Sequence, residues 1–175
     1  ILYQAYCRAF QTALRLAMPV LPYRDPKILR STAEVPAELR ARGLDAVLIV
    51  TDSSLYALGK TAPLERCLRE AGIRCAVYHK TVSNPTVHNV EEARAVYLEH
   101  GCQALIGFGG GSAIDCAKAV GARIARPGKP VARMRGILKV LRPIPPLIAI
   151  PTTAGTGSEV TLATVITDSD HGYKF

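Results

Sequence analysis

A run of three glycines, Gly109 to Gly111, offers the most specific chemistry in this sequence. An apolar segment predicted to be a strand, Gln103 to Phe108, precedes it, and Ser112 opens a segment of helical composition. Glycine tolerates positive φ and lets a ligand approach the backbone closely. The free N–H groups and the dipole at a helix start favour an anion. This order of strand, turn and helix predicts a phosphate cradle, and therefore a nucleotide.

The glycine run differs from two familiar phosphate-binding motifs. Counted from Gly107, the last position of a GxGxxG pattern is Ser112, and the GK[ST] of a Walker loop is missing. Asp115 lies three residues after Ser112, so the pair could form a capping box. A capped helix still presents free N–H groups to phosphate, so both roles stay open.

Asp52 follows the first apolar run, Leu44 to Val50. A carboxylate past a strand end can accept both hydroxyls of an adenosine ribose. Its charge would repel a 2′-phosphate, so this interpretation favours NAD over NADP. The alternative is structural, because an aspartate before two serines is also a common helix cap.

A third strand end carries the segment Pro151 to Glu159. It holds two glycines and four hydroxyl side chains, which are Thr152, Thr153, Thr156 and Ser158. A structural turn needs only one or two such residues, whereas a loop that binds a polar ligand uses many. The pattern therefore favours ligand contact over a plain turn.

Helices and strands alternate around these strand ends. Helices are predicted at 33–42, 61–71, 88–100 and 112–126, and strands at 44–50, 73–78, 103–108, 146–150 and 163–167. This order predicts an α/β fold with a Rossmann-like, doubly wound, mainly parallel sheet and helices on both faces. Ligands of such sheets bind beyond the carboxyl ends of the strands, near a switch point.

Residues 1–30 form a separate N-terminal arm in this interpretation, before a dinucleotide-binding domain over 31–175. Apolar residues recur there at three- and four-residue steps, which predicts a short amphipathic helix; they are Tyr3, Tyr6, Phe10, Leu14, Ala17 and Met18. Prolines at 19, 22 and 26 then break the pattern. We expect the arm to pack on the domain or on a second subunit.

Composition limits the classes of protein that fit. The hydrophobic fraction of 49% supports a core, and no apolar run has the length of a membrane span. The first residues also lack the charged-then-apolar layout of a signal peptide. Five scattered cysteines without a CxxC pair indicate reduced thiols in a cytoplasmic protein.

The net charge of +8 is concentrated between Asp115 and Glu159, a stretch without acidic residues. The basic residues there are Lys118, Arg123, Arg126, Lys129, Arg133, Arg135, Lys139 and Arg142. A solvated helix face, attraction of a polyanionic nucleotide and nucleic-acid binding all fit such a run. No aromatic side chains interleave the charges, so we favour the solvated face and do not expect nucleic acid.

Four motifs in register resemble the iron-containing (group III) alcohol dehydrogenases. They are TDSSL after the first strand, SNPT after the second, GGGSAIDCAK, and PTTAGTGSEVT, and together they cover about Asp45 to Phe175. The resemblance implies an N-terminal α/β dinucleotide-binding domain, which an all-helical domain follows in the family. It also implies hydride transfer between an alcohol or aldehyde and a nicotinamide cofactor.

The resemblance implies a cofactor contact for each motif. Asp52 would meet the adenosine ribose, and Asn84 and Pro85 would line the adenine side. The other implied residues are Gly109, Gly110, Gly111 and Ser112 at the pyrophosphate with Asp115 close by, Thr152, Thr153, Thr156 and Ser158 along the cleft, and Val165 and Lys174 near the nicotinamide.

The family's metal, iron or zinc, is held by an aspartate and histidines of the helical domain. The four histidines here are His79, His88, His100 and His171, and none pairs at i, i+4 spacing. We therefore expect no metal ligand and no catalytic residue in this chain, and a fragment that is inactive alone.

Other functions stay open beside this one. Glycerol dehydrogenases and dehydroquinate synthases share the glycine motif within the same superfamily, although PTTAGTGSE resembles the alcohol dehydrogenase branch more closely. A non-catalytic nucleotide-binding module is the alternative from another class.

Overall fold

The computed structural model describes residues 2–17, 26–136, 139–169 and 171–174. Four parallel strands form its central sheet: β1 (Ala46–Asp52), β2 (Arg74–Thr81), β3 (Ala104–Gly109) and β4 (Leu147–Pro151). The helices are α1 (Leu2–Ala17), α2 (Val35–Ala41), α3 (Ser53–Ala57), α4 (Ala62–Glu70), α5 (Val87–Glu99) and α6 (Gly111–Ala125), with 3-10 turns at Thr32–Glu34 and Val131–Met134.

The apolar run of β1 is buried on both sides because helices cover both faces of the sheet. Leu48 and Val50 pack with residues of α5 and α6, whereas Val47 and Ile49 pack with residues of α2 and α4. All four side chains are fully buried. The predicted doubly wound α/β architecture is confirmed.

The strand order is β2-β1-β3-β4, so the winding reverses once. The chain steps from β1 to β2 in one direction, then returns past β1 to β3 and continues to β4. This reversal places a switch point between β1 and β3, and the crevice beyond their carboxyl ends is the expected ligand site of such sheets.

Helix α6 approaches β3 very closely at Gly107. A Cβ at this position would lie 2.9 Å from Cα of Ile114 and 3.3 Å from Cβ of Ala117. Only glycine allows this approach, because a backbone atom of the helix occupies the space. The start of α6 is thereby held against the end of β3.

The predicted strand at 163–167 is wrong. Only Thr167–Asp168 (β5) is extended, and it pairs antiparallel with Tyr173–Lys174 (β6) in a separate hairpin. The physical reason is that this segment bonds to a helix side chain. Val165 donates its N–H to the Asp115 carboxylate at 3.0 Å, instead of joining a strand ladder.

The predicted N-terminal helix is confirmed as α1, in which Tyr6 and Phe10 stack with ring centroids 6.4 Å apart. Met18 and the side chains of Tyr3, Leu14 and Ala17 lie outside the described part of the chain. The boundary at residue 30 and the packing of the arm stay predictions. In the described ranges, no helix combines the length and the hydropathy needed to cross a bilayer.

Candidate nucleotide-binding site

The glycine turn connects β3 to α6 as predicted. Gly110 is the N-cap of α6, and no side chain caps this helix start. A Cβ at Gly110 would lie 3.2 Å from Oγ1 of Thr153, and one at Gly111 would lie 3.0 Å from Oγ of Ser158. The turn therefore brings bare backbone and an uncapped helix start to the switch point, which suits an anion.

Asp52 is both a helix cap and a neighbour of the glycine turn. Its Oδ1 accepts from the N–H groups of Ser54 and Leu55, both at 2.9 Å, at the start of α3. Its Oδ2 lies 3.6 Å from where a Cβ on Gly109 would stand. The structural interpretation from the sequence is correct, and the second oxygen lies beside the turn. Contact with a ribose stays a prediction.

The hydroxyl-rich loop after β4 lies directly against this turn. Thr152 donates its N–H to the carbonyl of Gly109 at 2.9 Å, which starts the loop beside the end of β3. Cβ of Thr156 lies 3.3 Å from the position of a Cβ on Gly111. Thr152, Thr153 and Thr156 are exposed, whereas Ser158 is buried. The exposed side chains of Thr153 and Thr156 thus lie beside the glycine turn.

The loop after β2 joins the same edge through Asn84. Its N–H lies 3.3 Å from Oγ of Ser112, and its Oδ1 accepts from Nζ of Lys174 at 3.0 Å. Pro85 accepts from the N–H of Thr167 through its carbonyl at 2.8 Å. Asn84, predicted on the adenine side, is therefore in contact with Lys174, predicted near the nicotinamide.

Asp115 does not form the capping box with Ser112 that their spacing allowed. The N-cap is Gly110, so Ser112 lies inside the helix and accepts from Asn84 instead. Asp115 is buried, and its Oδ2 accepts from the N–H of Val165. Val165 is 49% exposed beside this contact.

The solvated-face interpretation of the basic run is wrong at Arg123 and Lys118. Arg123 is buried on α6, pairs with Glu91 of α5, and donates to the carbonyls of Arg126, Pro127 and Lys129. Only 11% of the Lys118 side chain is exposed. A sign of this burial was present in the sequence, because both residues lie within a helix otherwise rich in alanine.

The histidines take structural positions in the described residues. His79 stacks on Tyr56 with ring centroids 4.4 Å apart and planes 6° apart, a pairing that the sequence did not indicate. His171 contacts the Asp168 carboxylate at 2.9 Å. Within the described ranges, no three histidine, cysteine, aspartate or glutamate side chains are grouped as a metal ion requires. The described residues therefore offer no group of ligands of this kind for the family's metal.

All residues predicted for the cofactor thus lie at one edge of the sheet, beyond the carboxyl ends of β1 to β4. A doubly wound parallel sheet with a carboxylate and a glycine turn at its switch point is the architecture of Rossmann-like α/β domains. The model of the iron-containing alcohol dehydrogenase family matches residues 29–175, and the chain belongs to that family. The resemblance seen in the motifs is confirmed.

Named relatives agree with this assignment. The chain is 41% identical over 140 residues to a choline dehydrogenase of Bacillus subtilis (strain 168), covering 79% of this chain and 35% of that protein. It is 40% identical over 141 residues to an NAD-dependent methanol dehydrogenase of Bacillus methanolicus, covering 81% and 37%. A crystal structure of a 1,3-propanediol oxidoreductase superposes with a TM-score of 0.81 at 33% identity, covering 89% and 41%. The chain therefore spans 35 to 41% of the length of these relatives.

Proposed function

We propose that this chain is the NAD-binding part of a metal-dependent alcohol dehydrogenase. The intact enzyme would transfer hydride between a small alcohol or aldehyde and the nicotinamide. Family membership supports the class of reaction, and a relative named as an NAD-dependent methanol dehydrogenase supports the cofactor.

One observation carries the proposal, the position of the Asp52 carboxylate beside the glycine turn. Oδ2 lies 3.6 Å from the Cβ position of Gly109, across the switch point between β1 and β3. A pyrophosphate held by the N–H groups at the start of α6 would leave its ribose within reach of this oxygen. A 2′-phosphate there would meet the same negative charge, so we propose NAD rather than NADP.

The described residues bind and orient the cofactor in this proposal. The glycine turn and Ser112 hold the pyrophosphate, and the loop hydroxyls contact the cofactor along the cleft. Bound NAD supplies the hydride acceptor. The metal, iron or zinc, has no fitting site among the described residues, and we place it in the remainder of the enzyme.

We further propose a reducing, cytoplasmic setting and a homodimer that uses the N-terminal arm. All five cysteines are free, which suits reduced thiols. The exposed aromatic pair Tyr6 and Phe10 on α1 is the feature that suits a subunit contact.

Calorimetric titration of the 175-residue chain with NAD and NADP tests the proposal. We expect weak binding of NAD and weaker binding of NADP, and no oxidation of methanol or 1,3-propanediol with added iron or zinc. Failure to bind NAD, or tighter binding of NADP, would contradict the cofactor assignment. Turnover above background would show that the chain is active alone.

A further inference from the structure

Lys118 of α6 has a set of partners unlike that of a surface lysine. Its Nζ donates to Oγ1 of Thr161 and to the carbonyl of Ala163, both at 3.0 Å. Both acceptors belong to the segment between β4 and β5, more than forty residues along the chain. The ammonium group therefore joins a helix to a loop that has no regular structure of its own.

Asp115 makes a second attachment one helical turn earlier. Its Oδ2 accepts from the N–H of Val165, and its backbone carbonyl accepts from Oγ1 of Thr164 at 2.8 Å. Its Oδ1 is buried without a hydrogen-bond partner among the described residues. Nζ of Lys118 lies 3.7 Å from this oxygen and balances its charge. A buried carboxylate needs such a partner.

The segment held in this way is loop 158–165, which runs along α6 from the glycine turn towards β5. It begins at Ser158, whose Oγ lies 3.0 Å from the Cβ position of Gly111. It ends before Ile166, which is 1% exposed in the core. Between these ends, hydrogen bonds of Asp115 and Lys118 attach the loop to α6.

We propose that Lys118 is a positioning residue that fastens loop 158–165 to α6 and so sets the nicotinamide end of the cofactor cleft. The part that concerns the cofactor depends on the function proposed above. The fastening is independent of that function, because it rests on contacts within the chain.

The charge of Lys118 is opposed by burial and supported by two carboxylates. Burial lowers the pKa of Lys118, while the carboxylates of Asp115 on α6 and Glu159 on the loop act in the opposite direction. Lys118 therefore loses its proton at a lower pH than an ordinary lysine. A detached loop would leave this ammonium group in water, where it binds its proton more tightly. Proton release therefore favours the fastened state, and the fastening should not weaken as pH rises through that lowered pKa.

Hydrogen exchange of the 175-residue chain tests the fastening without any ligand. In Lys118→Met, the hydrogen-bonded amides of Val160 and Val165 should exchange about tenfold faster, the loss that one charge-assisted hydrogen bond represents. Amides of β3 should keep their protection, and Lys118→Arg should restore the loop. Lys60→Met, at an exposed lysine after α3, is the matched control. Unchanged exchange of Val160 and Val165 in Lys118→Met would overturn the proposal.

Titration with NAD and with AMP tests the role at the cleft. AMP reaches only the Asp52 and glycine-turn half of the proposed site, so its affinity should stay the same in Lys118→Met. The NAD affinity should fall about tenfold, and Lys118→Arg should recover it. Equal losses for both ligands, or no loss for NAD, would overturn the positioning role. If the wild-type chain binds neither ligand, the proposed function fails, while the exchange experiment still decides the fastening.

Discussion

Nζ of Lys174 donates a hydrogen bond to Oδ1 of Asn84 at 3.0 Å, although 90 residues of chain separate them. Asn84 has a φ of +58° and is the single non-glycine residue with positive φ in the described ranges. Its N–H contacts Ser112 at the start of α6. One residue thus joins the loop after β2, the glycine-turn helix and the β5–β6 hairpin.

Two substitutions at Asn84 separate its backbone role from its side-chain role. Asn84→Ala should unfold at lower urea concentration than Asn84→Gly, with a difference in free energy of unfolding of about 1 kcal/mol. The reason is that positive φ strains the backbone of alanine and does not strain that of glycine. Both variants lose the Lys174 bond, so both should bind NAD more weakly in calorimetry. Equal stability of the two variants would contradict the backbone role, and unchanged NAD affinity would remove Asn84 from the site.

Asp52→Asn removes the charge beside the glycine turn and keeps an oxygen that can cap α3. The ratio of NAD to NADP affinity should fall about tenfold or more, because the repulsion of a 2′-phosphate is lost. Parallel titrations with the two cofactors measure this ratio. Asp45→Asn is the control, because Asp45 precedes β1, at the opposite edge of the sheet, where it pairs with Arg74. A ratio equal to that of the wild type would disprove the ribose role of Asp52.

Gly107→Ala tests the close approach of α6 to β3. The new Cβ would stand 2.9 Å from Cα of Ile114, so the helix must shift. We expect a loss of about 1–3 kcal/mol in the free energy of unfolding, as for other overpacked cores. Gly128→Ala is the matched control, since nothing lies within 4 Å of its Cβ position. If both variants unfold at the same urea concentration, α6 does not depend on this glycine.

The stability of the fold should fall in alkaline solution. Burial raises the pKa of the Cys116 thiol from 9.0 to about 12. Above pH 9 the unfolded chain therefore releases a proton that the folded chain keeps, so stability decreases as pH rises. At pH 10 this one group should cost about 1 kcal/mol.

Urea unfolding at pH 8 and pH 10 measures this dependence. Burial also raises the pKa of Cys102 to about 11 and that of Tyr97 to about 12, so they add to the slope. Cys116→Ala should reduce the slope without removing it, whereas Cys67→Ala, the matched removal of a thiol, should leave it as in the wild type. A slope unchanged by Cys116→Ala would show that this thiol does not couple to folding.

Local sequence signals predicted the parts of the fold that depend on neighbouring residues. The continuous apolar run at 44–50 predicted β1 because a strand buried on both faces tolerates only apolar side chains. The glycines before Ser112 predicted the turn after β3 because few other residues suit that backbone. The extended strand expected at 163–167 failed because its partner for hydrogen bonds is the Asp115 side chain, which no local pattern reveals.

The sequence by itself determined the order of the four strands of the parallel sheet and of the longer helices between them, the glycine turn at Gly109 to Gly111, and the family to which the chain belongs. Only the tertiary structure decided that Asp52 lies beside that cradle while capping α3, and that Lys174 reaches Asn84. It also decided that Lys118 pairs with Asp115, and that Arg123 is buried and pairs with Glu91, whereas the sequence suggested solvated charges. The physical reason is that periodicity and turn chemistry act between near neighbours. The environment of a charge depends on side chains that the fold brings together from distant parts of the chain.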